Sequence, residues 1–148
     1  MVTKQFFAGA LVVMMLAAGC ASMEQQSIAD KSLYQRLGGK DAITAVVDDF
    51  VNRVAADNRI NGFFAKANVP RLKAQLVDQI CEASGGPCKY TGRDMKAVHR
   101  GMGVTDGGFD ALVGDLVATL DKFKVGEREK KDLLGALGPM KSDIVEKK

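Results

Sequence analysis

Between Leu33 and Val145 the apolar residues return every three or four positions, and glycines interrupt the rhythm. Ile43, Val46, Val47, Phe50, Val51 and Val54 fall at i, i+3, i+4, i+7, i+8 and i+11, which is one face of an α-helix. Leu72, Leu76, Ile80 and Ala83 make a second stripe. Phe109, Leu112, Val113, Leu116, Val117, Leu120 and Phe123 make the cleanest one. Leu133, Leu134, Leu137, Met140, Ile144 and Val145 make the last, where Gly138-Pro139 should kink or interrupt the helix. No stretch alternates with a period of two for long enough to be a strand, so the predicted fold class is all-α.

Punctuation sets the boundaries. Gly38-Gly39 should end a short helix at Leu37, with Asp41 capping the next. Asn68 and Pro70 should open a helix that Gly85-Gly86-Pro87 stops. Gly101 and Gly103 should end a brief helix around Met95 and His99, and Thr105-Asp106 should cap the long helix that follows.

The chain has 148 residues, enough for one domain. Its net charge of +3 is spread along the chain without a Lys/Arg block or zinc-finger spacing, so no nucleic-acid partner is expected.

The first residues differ from the rest. Lys4 is the only charge before an apolar run from Phe6 to Ala18, which is short for a membrane span. A basic start, an apolar middle and a small-residue exit read as a secretory signal. Leu16-Ala17-Ala18-Gly19-Cys20 resembles the bacterial lipoprotein signal, with Ala17 where that family most often has Leu. The resemblance implies a signal peptide over 1–19 and lipidation of Cys20. A polar tether would fill 20–32, and the folded domain 33–148. Ala21 after the cysteine implies anchoring at the periplasmic side of a bacterial membrane, the outer one by sorting. An ordinary cleaved signal that ends near a cysteine is the alternative. In an exported chain, Cys81 and Cys88, separated by Glu-Ala-Ser-Gly-Gly-Pro, suggest a disulfide. A redox switch is the other reading of that pair.

His99 is the only histidine. Met95 precedes it by one helical turn and shares its face. Neutral imidazole is a common haem ligand. Zinc is disfavoured, since three or four protein ligands would be needed. No nucleophile motif supports a hydrolytic triad.

The order of motifs resembles the group I truncated haemoglobins. Tyr34-Gln35-Arg36-Leu37-Gly38-Gly39 matches their opening. Phe63-Phe64, Arg71-Leu72-Lys73 and Gly85-Gly86-Pro87 follow. The most specific match runs from Tyr90-Thr91-Gly92-Arg93-Asp94 through Met95-Lys96-Ala97-Val98-His99. The resemblance implies a two-over-two helical sandwich around haem b (iron protoporphyrin IX). It implies His99 as the iron ligand and Phe64 as the aromatic against the porphyrin. Phe50, Val51, Leu72, Leu76 and Ile80 would line the distal side, with Tyr90 and Met95 as further contacts. Arg71 would meet a haem propionate, a solvated surface charge being the alternative. Plain helix–helix packing is the alternative for the apolar residues.

The departure lies on the distal side. Members of this family often place a Tyr where this chain has Val51 and a Gln where it has Leu76, and both donors bind dioxygen. Gln75 and Gln79 flank the second position, but helix geometry is expected to turn each about 100° or more off the Leu76 direction. An apolar distal pocket would retain oxygen weakly relative to carbon monoxide and nitric oxide. Met95 and Met102 sit on the segment of His99, so no sixth protein ligand is expected. The expected function is therefore an exported haem protein that binds diatomic gases. The alternative is a haem enzyme of nitric oxide or peroxide detoxification, fed electrons by a redox partner. The missing distal acid–base groups count against it.

Overall fold

The computed structural model describes residues 31–147. The expected signal segment, Cys20 and the expected tether as far as residue 30 lie outside the described residues. Seven α-helices follow in order: α1 (Leu33–Arg36), α2 (Gly39–Ala56), α3 (Val69–Ala83), α4 (Met95–His99), α5 (Asp106–Lys122), α6 (Glu127–Leu137) and α7 (Lys141–Ile144). Two 3-10 turns, Asn61–Phe64 and Gly138–Met140, sit between α2 and α3 and between α6 and α7. The described residues hold no strand beyond a single bridge between Thr105 and Lys147.

Local chemistry explains most boundaries. At α1 the Ser32 hydroxyl accepts the Gln35 N–H and the Gln35 side chain accepts the Ser32 N–H, a reciprocal capping box. Asn68 caps α3 by accepting the Arg71 N–H at 3.0 Å, with Pro70 in the first turn where its missing N–H costs little. Thr105 caps α5 by accepting the Gly108 N–H at 3.0 Å. Gly138-Pro139 does interrupt the last helix, and Val145 lies beyond it in extended backbone.

One boundary differs from expectation. Asp41 does not cap α2, which begins at Gly39 behind Gly38. Gly38 takes a φ of 94°, and a Cβ there would lie 2.9 Å from Ala42. Only glycine turns the chain so sharply, so the helix starts before the polar residue is reached. Asp41 instead sits in the first turn, where its charge suits the helix dipole.

Helix α2 is the spine, packed on both α3 and α5, while α6 lies against α1 and α3 and α7 against α4. Val47, Ile60, Cys81, Leu120 and Leu133 are buried almost completely. Truncating one of these leucines to Ala should cost about 2–5 kcal/mol through lost transfer energy and the cavity left behind. Arg36 ties α1 to α6 through Asp132 and Glu129, and those carboxylates raise its guanidinium further above its ordinary value.

Candidate haem pocket

The helices leave a cavity of about 950 Å³ between α2, α3, α4, α5 and the C-terminal turns. That is near the upper end for a small-molecule site. Every candidate cofactor contact named from sequence lines it: Phe50 and Val51 from α2, Phe64 from the 3-10 turn, Arg71, Leu72, Leu76 and Ile80 from α3, Tyr90 from the loop, and Met95 and His99 from α4. Residues separated by up to 49 positions in sequence are thus brought to one wall system.

His99 sits at the last position of α4. Its Nδ1 lies 2.8 Å from the Met95 carbonyl oxygen. A carbonyl only accepts, so Nδ1 carries the proton and donates it. Nε2 is then the ring nitrogen left for a metal, and a backbone carbonyl of this kind is the usual partner that orients a metal-binding imidazole. Asp94 starts the helix by accepting the Ala97 N–H at 2.9 Å.

The wall contributed by α3 is less apolar than its sequence suggests. Gln75 and Gln79 both line the cavity, contrary to the expectation that they turn away. The cavity is broad enough to meet two adjacent rows of the helix, 71–75–79 and 72–76–80, rather than one. Gln79 Nε2 donates to the thioethers of Met95 at 3.3 Å and Met140 at 3.5 Å. Gln75 Oε1 is buried without a hydrogen-bond partner. It packs into the notch left by Gly92, where a Cβ would lie 2.4 Å from that oxygen and 2.3 Å from the Tyr90 hydroxyl. Tyr90 in turn donates its hydroxyl to the Arg93 carbonyl at 2.7 Å and its N–H to Glu82 at 2.9 Å. Burial raises the Tyr90 phenol, and the Tyr90 N–H lowers the Glu82 carboxyl.

Sequence reasoning missed several lining residues. Arg93, Val98, Leu112, Leu116, Leu137, Met140 and Ile144 all reach the cavity. The stripes on α5 and α6 signalled core, but nothing in their period separates a residue facing a helix from one facing a cofactor. Arg71 and Arg93 are exposed at the cavity edge and form no ion pair among the described residues. Cys81 at the end of α3 and Cys88 are joined by a disulfide.

The arrangement fits a flat, mostly apolar group with acidic substituents. The cavity supplies the volume, two arginines the counter-charge, and an oriented imidazole the donor for a borderline metal such as iron. The fold and this cavity define a small helical haem protein. The chain belongs to the Bacterial-like globin family, which it matches over residues 32–146.

Its relatives narrow the class. It is 40% identical over 113 residues to the group 1 truncated hemoglobin GlbN of Mycolicibacterium paratuberculosis, covering 76% of this chain and 83% of that one. It is 38% identical over 100 residues to the group 1 truncated hemoglobin GlbN of Synechocystis sp., covering 65% and 81%. Among solved structures, the truncated hemoglobin of Tetrahymena pyriformis in its Fe(III) form superposes with a TM-score of 0.75 at 30% identity, covering 78% of this chain and 98% of that one. The 2/2 hemoglobin of Synechococcus sp. in the cyanomet state gives 0.74 at 32% identity, with the same coverage. The protein is a truncated globin of two-over-two helical architecture, its cofactor is haem b, and its class of function is haem-based gas binding.

Proposed function

We propose that this chain is an exported, lipid-anchored truncated globin that binds diatomic gases at an iron held by His99. The observation that carries the reading is the imidazole itself: the only histidine lines the cavity with its Nδ1 proton committed to the Met95 carbonyl, which leaves Nε2 for the metal. When bound, haem supplies an iron that coordinates one small gas molecule. Phe64, Leu72, Leu76 and Ile80, which line the cavity, would exclude water from its ring, and Arg71 and Arg93 at the edge would offer charge to its propionates.

Val51 and Leu76 keep the positions of the family's distal donors apolar. The two amides of α3 line the same wall. Gln79 Nε2 is engaged by two thioethers, and Gln75 packs its carbonyl oxygen into the Gly92 corner beside Tyr90. Val51 and Leu76 themselves offer a dioxygen ligand no donor at 2.7–3.1 Å, the range in which a hydrogen bond stabilises its partial charge. Carbon monoxide and nitric oxide need that donor less.

Export is supported by the N-terminal pattern and by the Cys81–Cys88 disulfide, a bond that persists in oxidising compartments. Labelled palmitate should be incorporated by the wild type and lost on Cys20→Ser; equal labelling of both would remove the anchor from the proposal.

The deciding test is the ultraviolet–visible spectrum of the protein in ferric, ferrous and ferrous–carbonyl forms, beside His99→Ala. A haem band that shifts in the wild type and is lost or altered in the variant is the expected result. A variant spectrum identical to wild type would remove His99 as the ligand. Oxygen dissociation then tests the distal wall. Val51→Tyr with Leu76→Gln should slow it strongly, and an unchanged rate would sink the apolar-pocket reading.

A further inference from the structure

We propose that Glu146 is a positioning residue for the haem ligand: its carboxylate clamps the loop that follows His99 and so sets the direction of the imidazole. The proposal rests on the reading of His99 as the ligand.

Helix α4 is only five residues long, and His99 is the last of them. A helix of this length does not hold itself in water, because the nucleation cost is spread over too few hydrogen bonds. Its start is held by Asp94. Its end has no helical continuation. Gly101 and Gly103 take φ of 79° and 68°, left-handed values that suit glycine and turn the chain away from the helix axis. That turn leaves the N–H groups of Gly101 and Gly103 without backbone acceptors.

Glu146 supplies both partners, from a residue 45 and 43 positions later. Oε1 accepts the Gly101 N–H at 2.7 Å and Oε2 accepts the Gly103 N–H at 2.6 Å. Each oxygen thus takes one amide, in the two-pronged manner that gives a carboxylate geometric selectivity, and charge assistance makes both bonds stronger than neutral ones. The two amides also hold the Glu146 carboxyl below its ordinary value.

The tail that carries Glu146 is itself fastened to the same loop. The Val104 carbonyl accepts the N–H groups of Glu146 at 2.9 Å and Lys147 at 3.1 Å, and the Asp106 N–H donates to the Lys147 carbonyl at 3.2 Å. Just upstream, α7 packs on α4, and its buried Ile144 lines the cavity. The last described residues therefore brace the ligand helix from its C-terminal side. A five-residue helix pivoting on Asp94 alone would carry Nε2 with it.

The test uses the full chain loaded with haem, with E146A and E146Q beside wild type. The readouts are exchange of the Gly101 and Gly103 amides, the iron–histidine stretching band of the ferrous protein by resonance Raman, and the rate of haem loss to an acceptor globin. E146A should accelerate exchange at both amides about tenfold or more, as expected for loss of a charge-assisted bond. It should also broaden or shift the iron–histidine band and speed haem loss several-fold. E146Q keeps one accepting oxygen, so it should expose one amide and fall between E146A and wild type in all three readouts. It also keeps the test open should E146A fail to fold. The proposal is overturned if the amides exchange at wild-type rates. It is equally overturned if they exchange faster while the band and the rate of haem loss stay unchanged. Absence of an iron–histidine band in the wild type would instead fail the ligand assignment, and with it the positioning role.

Discussion

Two of the helices that bring polar side chains to the cavity, α3 and α4, are held by different means. Helix α3 runs for 15 residues, is capped by Asn68 and ends in the Cys81–Cys88 disulfide. Its own backbone ladder, the covalent closure next to it and its packing on α2 all support it. Helix α4 has five residues and depends on Asp94 at one end and on a glutamate from the far end of the chain at the other. One wall has local bracing at both ends besides its packing. The wall that carries His99 has local bracing at its start only and relies on tertiary contacts at its end.

Variants can break or sharpen that contrast. The largest effect is expected from Gly86→Ala, beyond the end of α3. A Cβ there would meet the Cys81 backbone carbonyl at 2.8 Å, the Cys81 sulfur at 2.7 Å and the Tyr34 ring at 2.5 Å. Backbone cannot step aside as a side chain can, so we expect a loss of about 3 kcal/mol, read by denaturant unfolding. A loss below about 1 kcal/mol would show that this end of α3 yields more than its packing implies.

Next comes the disulfide. Cys81→Ser with Cys88→Ser should cost about 2.5 kcal/mol in the chain-entropy account of a short loop. The effect should appear as a lower Tm, with amide exchange at Gly101 and Gly103 unaltered. Faster exchange at those glycines would mean that the two walls are not independently supported.

Removing equivalent caps compares the helices directly. Asn68→Ala and Asp94→Ala each delete one cap bond and should each cost about 1 kcal/mol. In α3 the loss should appear only in the first turn. In α4 it should reach the amides of Ala97, Val98 and His99 by hydrogen exchange, because the helix has no second turn to fall back on. Equal confinement of both losses would count against the contrast.

The smallest effect lies away from both helices' cavity faces. Burial pushes the Asp115 carboxyl up, with Asp57 adding to the rise, while Arg59 holds Asp57 down at about 2. The signs oppose. Asp57 contributes stability that is complete above its unfolded value of 3.8 and is lost as pH falls through about 2. Asp115 costs stability progressively as pH rises from 3.8 through its higher folded value. Asp115→Asn should therefore raise Tm relative to wild type at pH 7, and the gain should fade by about pH 3. A gain that is the same at both pH values would show that charge is not the cause.

Much of this molecule was legible before folding was considered. The period of the apolar residues on α2, α3 and α5 set the helices, because a helix repeats its face every 3.6 residues whatever it packs against. Asn68, Thr105 and Gly138-Pro139 marked boundaries because capping and proline act within a few residues. The cavity contacts came from ordered motifs, and all of them reach the same cavity. Where local rules met a special backbone, reading by residue type failed: Gly38 in the left-handed region started α2 ahead of Asp41.

By itself, then, the sequence determined the helical class, the lone imidazole and the glycine breaks, since each depends on neighbours along the chain. Tertiary structure alone decided that Gln75 and Gln79 face the cavity, that Arg93 joins Arg71 at its edge, and that Glu146 reaches Gly101 and Gly103. A period says which residues share a helix face, but not how wide a cavity that face will meet. A carboxylate near the end of a chain carries no mark of the two amides it will bind, because that pairing exists only once the tail has come back to the loop.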